Sequence, residues 1–184
     1  MVTTPRFWAQ DLLHFWFRAL SPQARFANDP AIDAAIADRF APLLGPIAAQ
    51  PLTELAKDRD TLRAAILLFD QVPRNAFRDS AQAFAYDDLA LALTRVALHR
   101  GWDRGLDRDA RQFLLMPLMH SEDRVVQRES VARFTALGSS YIRSFAVAHA
   151  RMVWRFGRFP HRNAVLGRVS SAAEKRAVAA GNHW

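Results

Sequence analysis

The chain has 184 residues, 51% of them apolar and 23% charged, which is enough for one domain with a full hydrophobic core and short for two. It contains no cysteine, which excludes disulfides, thiolate metal sites and cysteine nucleophiles. The formal charge of +7 is unevenly placed: residues 1–129 hold 16 Lys+Arg against 17 Asp+Glu, whereas residues 130–184 hold nine against Glu174 alone.

Apolar residues recur at helical spacing along nearly the whole chain, and no convincing strand pattern occurs. The first predicted helix covers about residues 4–20, with Phe7, Trp8, Leu12, Phe15, Trp16 and Ala19 on one stripe. Gln10, Asp11 and His14 interrupt it, so it reads as an amphipathic helix and not as a signal peptide. A second helix starts at about Asp29 and ends at the prolines at 42 and 46. "TLRAAILLF" (61–69) is apolar on almost every side and is the expected core helix, with Pro73 forbidding its continuation. A long helix is predicted from Ser80 to Arg100, then a short one in "RDARQFLLM" reaching Pro117. Ser121 is the predicted cap of a helix to about Leu137, with Glu122 and Asp123 in its first turn. Ser139 or Ser140 opens the next, which ends at Gly157, and "SAAE" (171–174) is a capping box for the last.

These patterns predict an all-α chain of about eight helices, antiparallel neighbours across short connections, and a single domain over 1–184. No apolar run comes near the roughly eighteen residues that a membrane span needs, so no membrane partner is expected and the cytoplasm is the expected location.

Asp70 is the first polar residue that needs an explanation. It sits in the last turn of the most apolar helix, where the helix dipole disfavours a carboxylate, and it needs a cation or donors such as Arg74 or Asn75. Asp87 falls on a stripe with Ser80, Phe84 and Leu91, although helical spacing does not name its partner. His149 shares the buried stripe of Ile142, Phe145, Met152, Val153 and Phe156, as a hydrogen-bonded core residue or as a ligand-binding one. His120 and Glu122 lie at the turn before a helix, but their spacing matches no established metal-ligand pattern, so no metal is expected.

In "RFGRFPHRNAVLGR" (155–168), Gly157, Pro160 and Asn163 are explained by turn chemistry. Arg155, Arg158, His161, Arg162 and Arg168 are not, because no acid lies within the stretch. They pair with acids elsewhere or face an anion. The stretch also echoes "DQVPRNAF": each follows an apolar helix and carries Pro, Arg and Asn, and the two turns, Asp70–Asn75 and Arg158–Asn163, are expected to meet in space. There is no P-loop, no dinucleotide-binding glycine pattern, no nucleophile elbow and no zinc-protease motif, so no cofactor is expected. The aromatics fall mostly in core stripes, which disfavours nucleic-acid binding.

At "LLFDQVPRNAFR", "HSED" and "FGRFPHRNAVLGR" the chain resembles the bacterial domain-of-unknown-function family nine-hundred-and-twenty-four, and the resemblance covers nearly the whole chain. It implies a tetratricopeptide-like α–α superhelix. It also implies a set of signature polar residues: Asp70, Gln71, Arg74, Asn75, Asp87, His120, Ser121, Glu122, Gln127, His149, Arg158, His161, Arg162 and Asn163. It brings no activity.

Three readings follow. In the first, a groove binds a small anionic molecule through Asp70, Arg74, Asn75, His149, Arg158, Arg162 and Asn163; if a reaction occurs, His120 or His161 is the acid/base candidate, with Glu122 or Asp70 orienting it. In the second, the groove accepts an acidic peptide or partner helix. In the third, the polar motifs only lock helix turns together. The residues do not decide between enzyme and binding module, nor do they set the oligomeric state.

Overall fold

Helix α1 (Phe7–His14) buries Ala9 and Leu12 in a computed structural model that describes residues 7–181. The start expected at residue 4 lies outside the described residues. α1 then widens into a π-helical turn (Phe15–Ala19), closed by the Leu20 N–H on the Phe15 carbonyl at 3.0 Å. Arg25, a buried residue, reaches back to donate to the carbonyls of Trp16 (2.8 Å) and Phe17 (3.1 Å), which satisfies acceptors that the helix end leaves open.

Asp29 caps α2 (Pro30–Phe40) by accepting from the Ala31 and Ile32 amides. The prolines that follow do not stop helical structure outright. Pro42 opens a 3₁₀ turn (Ala41–Leu43), and Pro46 stands in the first turn of the short α3 (Leu44–Ala48). Early helix positions need no proline N–H, so both are tolerated. After α4 (Leu52–Leu55) comes α5 (Arg59–Asp70), capped by Asp58, in which nine residues, including Leu62, Ile66, Leu68 and Phe69, are buried. This is the expected core helix. Pro73 again restarts the chain, in the first turn of α6 (Val72–Ala76).

The predicted helix from Ser80 to Arg100 is two elements. A 3₁₀ turn (Ala81–Phe84) precedes α7 (Asp87–His99), and Asp79 enters the region with φ at 58°. Asp87 therefore opens a helix, where the dipole favours its charge, and does not sit in the middle of one. α8 (Arg108–His120) runs through Pro117 instead of stopping there. The proline withholds an N–H from the preceding turn, and the Thr94 hydroxyl donates to the Leu114 carbonyl in that turn at 3.0 Å. The cap of α9 (Arg124–Thr135) is Asp123 and not Ser121: its carboxylate accepts from Val125 and Val126, while the Ser121 hydroxyl accepts from the Asp123 N–H. Ser139 caps α10 (Ser140–Phe156), which ends at Gly157 with φ 72°, and Ser171 and Glu174 form the expected capping box of α11 (Ala172–Ala179).

The chain is all-α, with eight helices of seven residues or more and no strand among the described residues. No described helix is long and apolar enough to cross a membrane. Packing divides the chain into two compact units. One reaches to Arg78 and continues from Gln82 to Leu114; the other holds Asp79–Ala81 and the chain from Leu115 onward. In the first, α5 packs on α1 and α7, and α2 packs on α6. In the second, α9 pairs with α10 across a short turn, α11 packs on the 3₁₀ turn Pro160–Arg162, and Met152, Val153, Phe159 and Ala177 form a shared core cluster.

Candidate functional site

The polar turn of the first unit is built where α5 ends and α6 begins. Asp70 is fully buried and accepts a hydrogen bond from the Gln71 amide at 2.5 Å. Arg74 lies 3.6 Å from its carboxylate, but donates its short bonds elsewhere: to the Asp70 carbonyl at 2.7 Å and, through both terminal nitrogens, to Asp87 at 2.8 and 3.0 Å. Burial alone would lower the Arg74 pKa, but Asp70 and Asp87 together raise it, so this guanidinium stays charged. Asn75 donates to the Gln71 carbonyl and accepts from Arg78, which also holds Asp33. Asp70, Arg74, Asn75 and Asp87 are thus joined in one network.

In the second unit, two carboxylates organise the arginine-rich stretch. Glu122 accepts from the Phe159 backbone N–H at 2.7 Å and takes a two-pronged contact from Arg168 at 2.7 and 3.0 Å. Burial would raise its pKa, but these donors and the charge of Arg162 bring it below the ordinary value. Glu174 is 3% exposed, yet accepts from Arg158 at 2.7 and 3.1 Å, from Asn163 at 3.3 Å and from the Ser171 N–H at 2.7 Å. The Arg158 contacts, followed by the Ser171 N–H, hold it well below the usual carboxylate range, and Arg158 in turn rises above its own ordinary value. Arg158 therefore finds its acid in Glu174, the one acid of the C-terminal third.

Near these braces three histidines form a chain of ring contacts through Phe159. The His120 and His149 rings are 6.1 Å apart, His149 meets Phe159 edge-on at 5.5 Å, and the His161 ring lies 5.7 Å from that of Phe159. Arg162, also buried, sets its guanidinium 4.6 Å from the Phe159 ring centre and donates to the His120 carbonyl at 3.0 Å. Gln127 donates to the carbonyls of Met119 and Ser121 and so fixes the chain on both sides of His120.

His149 is on the buried face as its spacing predicts. Its Nδ1 donates to the Phe145 carbonyl at 2.8 Å, which places the proton of the neutral ring on Nδ1. Burial, then the neighbouring His120, lowers its pKa to about 3. It is a neutral polar residue of the core at ordinary pH. No group of three or more His, Asp or Glu among the described residues could hold a metal ion.

His161 differs from the other two because it also lines a cleft. A space of about 320 Å³ lies between the Pro160–Arg162 turn and α11, bounded by Pro160, His161, Ala164, Ser170, Lys175, Val178 and Ala179. Asn163 stands behind it, donating to the Ser170 oxygen at 3.0 Å. Of the residues named from the sequence, the structure gathers His120, His149, His161, Arg162, Asn163, Arg158 and Glu122 within the second unit, and Asp70, Arg74 and Asn75 within the first.

Sequence reasoning missed Glu174 as the acceptor of Arg158 and Asn163, Arg168 as the partner of Glu122, and Ser170 and Lys175 as cleft residues. Glu174 had a signal, since it is the single acid among nine cations. Arg168 had only its lack of a local acid, and Lys175 had none.

The family model described as "Bacterial protein of unknown function (DUF924)" matches residues 12–182. Among solved structures, the protein of unknown function ATU0120 from Agrobacterium tumefaciens is 34% identical, with a TM-score of 0.88 over 94% of this chain and 97% of that one. No curated protein matches.

Proposed function

We propose, from the premise that the chain belongs to the DUF924 family of bacterial proteins, that it binds a small anionic molecule in the cleft beside His161. The observation that carries this reading is the cleft's charge environment. The second unit holds eleven basic residues against five acidic ones, and two of its carboxylates, Glu174 and Glu122, are already held by Arg158 and Arg168. Lys175, on the cleft wall, is exposed and makes no ion pair among the described residues. Positive potential is therefore left over where there is room for a ligand.

In this reading Arg158, Arg162, Asn163 and His149 support the cleft from behind, and the tetratricopeptide-like superhelix is the frame that presents it. The α9–α10 pair, joined by a short turn, is the kind of unit such a frame repeats. If a reaction accompanies binding, His161 is the acid/base group in reach. His120 is buried, and Glu122 serves Phe159 and Arg168.

Thermal-shift screening against phosphorylated and carboxylated metabolites tests the reading. A ligand at 100 times its Kd adds about 2.7 kcal/mol of stability, and Lys175→Glu should abolish the shift. The reading fails if no anion raises the melting temperature, or if the shift survives in the variant.

A second reading, binding of an acidic peptide or helix, has its own observation. α10 exposes Tyr141, Phe145 and Trp154 together with Arg143, Arg151 and Arg155. Salt-sensitive binding of an acidic amphipathic peptide, lost in Arg151→Glu, would favour it.

A further inference from the structure

We propose that the ligand of this cleft is a monocarboxylate with a compact apolar body, such as a medium-chain acyl or an aryl acid. The proposal rests on the reading of the cleft as an anion site and narrows its chemistry. The lining is mixed. Pro160, Ala164, Val178 and Ala179 offer only hydrocarbon, while His161, Ser170 and Lys175 offer polar atoms. A ligand that fills the space must therefore be apolar over part of its length and charged at one end.

The polar side suits one negative charge. Lys175 is the single permanent cation in the lining. The Ser170 oxygen already accepts from Asn163, which leaves its O–H to donate. An ammonium and a hydroxyl in one lining match the two oxygens of a carboxylate.

A phosphate ester would carry nearly twice the charge on three oxygens, and phosphate sites commonly draw on free backbone amides at a helix N-terminus. Here two of those amides are already used. At the start of α11 the Glu174 N–H donates to Ser171 Oγ, and the Ser171 N–H donates to the Glu174 carboxylate. About 320 Å³ is at the small end for a ligand cleft, which suits a small ligand body.

The test is a head-group series on one chain, octanoate, octyl phosphate and 1-octanol, titrated calorimetrically into the full-length protein. Octanoate should bind at least tenfold more tightly than the other two. Lys175→Glu should weaken octanoate at least tenfold, and Val178→Trp, which fills the apolar floor, should do the same. If Val178→Trp lowers the melting temperature, Lys175→Glu decides alone, since Lys175 is exposed and makes no ion pair among the described residues. Octyl phosphate binding as tightly as octanoate, with the same dependence on Lys175, overturns the carboxylate proposal and leaves the anion site standing. Octanol binding as well as octanoate, no binding at all, or octanoate binding that ignores both variants overturns the proposal and the anion site together.

Discussion

Arg74 gives both of its terminal nitrogens to Asp87, thirteen positions away, at 2.8 and 3.0 Å, and stands 3.6 Å from the carboxylate of the nearer Asp70. One guanidinium thus stands between two carboxylates, and either acid alone can still serve it as a counter-charge. Asp70→Ala and Asp87→Ala should therefore each cost about 2 kcal/mol, in the range for hydrogen bonds to charged groups. The double variant strands a half-buried Arg74 without a counter-charge and should cost about 1 kcal/mol or more beyond the sum. Urea denaturation of the three variants checks this, and strict additivity would mean that the acids act independently.

Gly157 ends α10 in the left-handed region, φ 72°, and a Cβ built there meets nothing within 4 Å. The cost of Gly157→Ala is thus backbone conformation alone, about 1 kcal/mol. The same turn delivers Arg158 to Glu174 and Phe159 to Glu122. A loss of several kcal/mol in thermal or urea unfolding would show that the turn's geometry is coupled to both braces.

Glu122 and Glu174 both titrate below their ordinary value of 4.5 in the folded chain. Below that pH the unfolded chain takes up protons that the folded chain refuses, so stability is complete above about pH 4.5 and is lost as pH falls through the folded values. Glu174→Gln and Glu122→Gln should each be less stable than the wild type at pH 7, with the difference shrinking steadily from pH 4.5 towards pH 3. A difference that stays constant over that range would mean that neither carboxylate is held by its arginine.

Features set by neighbouring residues were legible before the fold. The Ser171–Glu174 capping box, the glycine stop at 157, the buried 61–69 helix and the inward face of His149 all follow from local spacing. The errors have a common cause. Pro73 does mark the end of α5, whose last residue is Asp70, whereas Pro117 reads as a stop and α8 runs through it, the turn before it receiving a Thr94 hydroxyl from another helix. The 80–100 segment has continuous apolar spacing, but the backbone turns at Asp79 and again before Asp87, where the negative charge suits a helix start. The site was partly legible. His120, His149, His161 and Arg162 stood out by residue type, whereas Arg168 meets Glu122 across 46 positions and Lys175 reaches the cleft only through the packing of α11. No local pattern encodes such distances.

His149 should give the protein a pH dependence at milder acidity than the carboxylates. Its folded pKa is about 3 against an ordinary value of 6.5, because burial and then His120 disfavour the charged ring. Between those values the unfolded chain binds a proton that the folded chain does not, so stability is full above about pH 6.5 and declines as pH falls. At ~1.36 kcal/mol per pH unit, the loss reaches about 2 kcal/mol by about pH 5, above the window in which Glu122 and Glu174 act. His149→Asn keeps a donor near the Phe145 carbonyl and removes the titration. It should be less stable than the wild type at pH 7.5 and should overtake it, or at least close the gap, by pH 5. Urea unfolding at half-unit steps between pH 7.5 and 4.5 reads the two slopes directly. Equal slopes would place the proton uptake on another group and would show that the His149 ring is not held neutral by its surroundings.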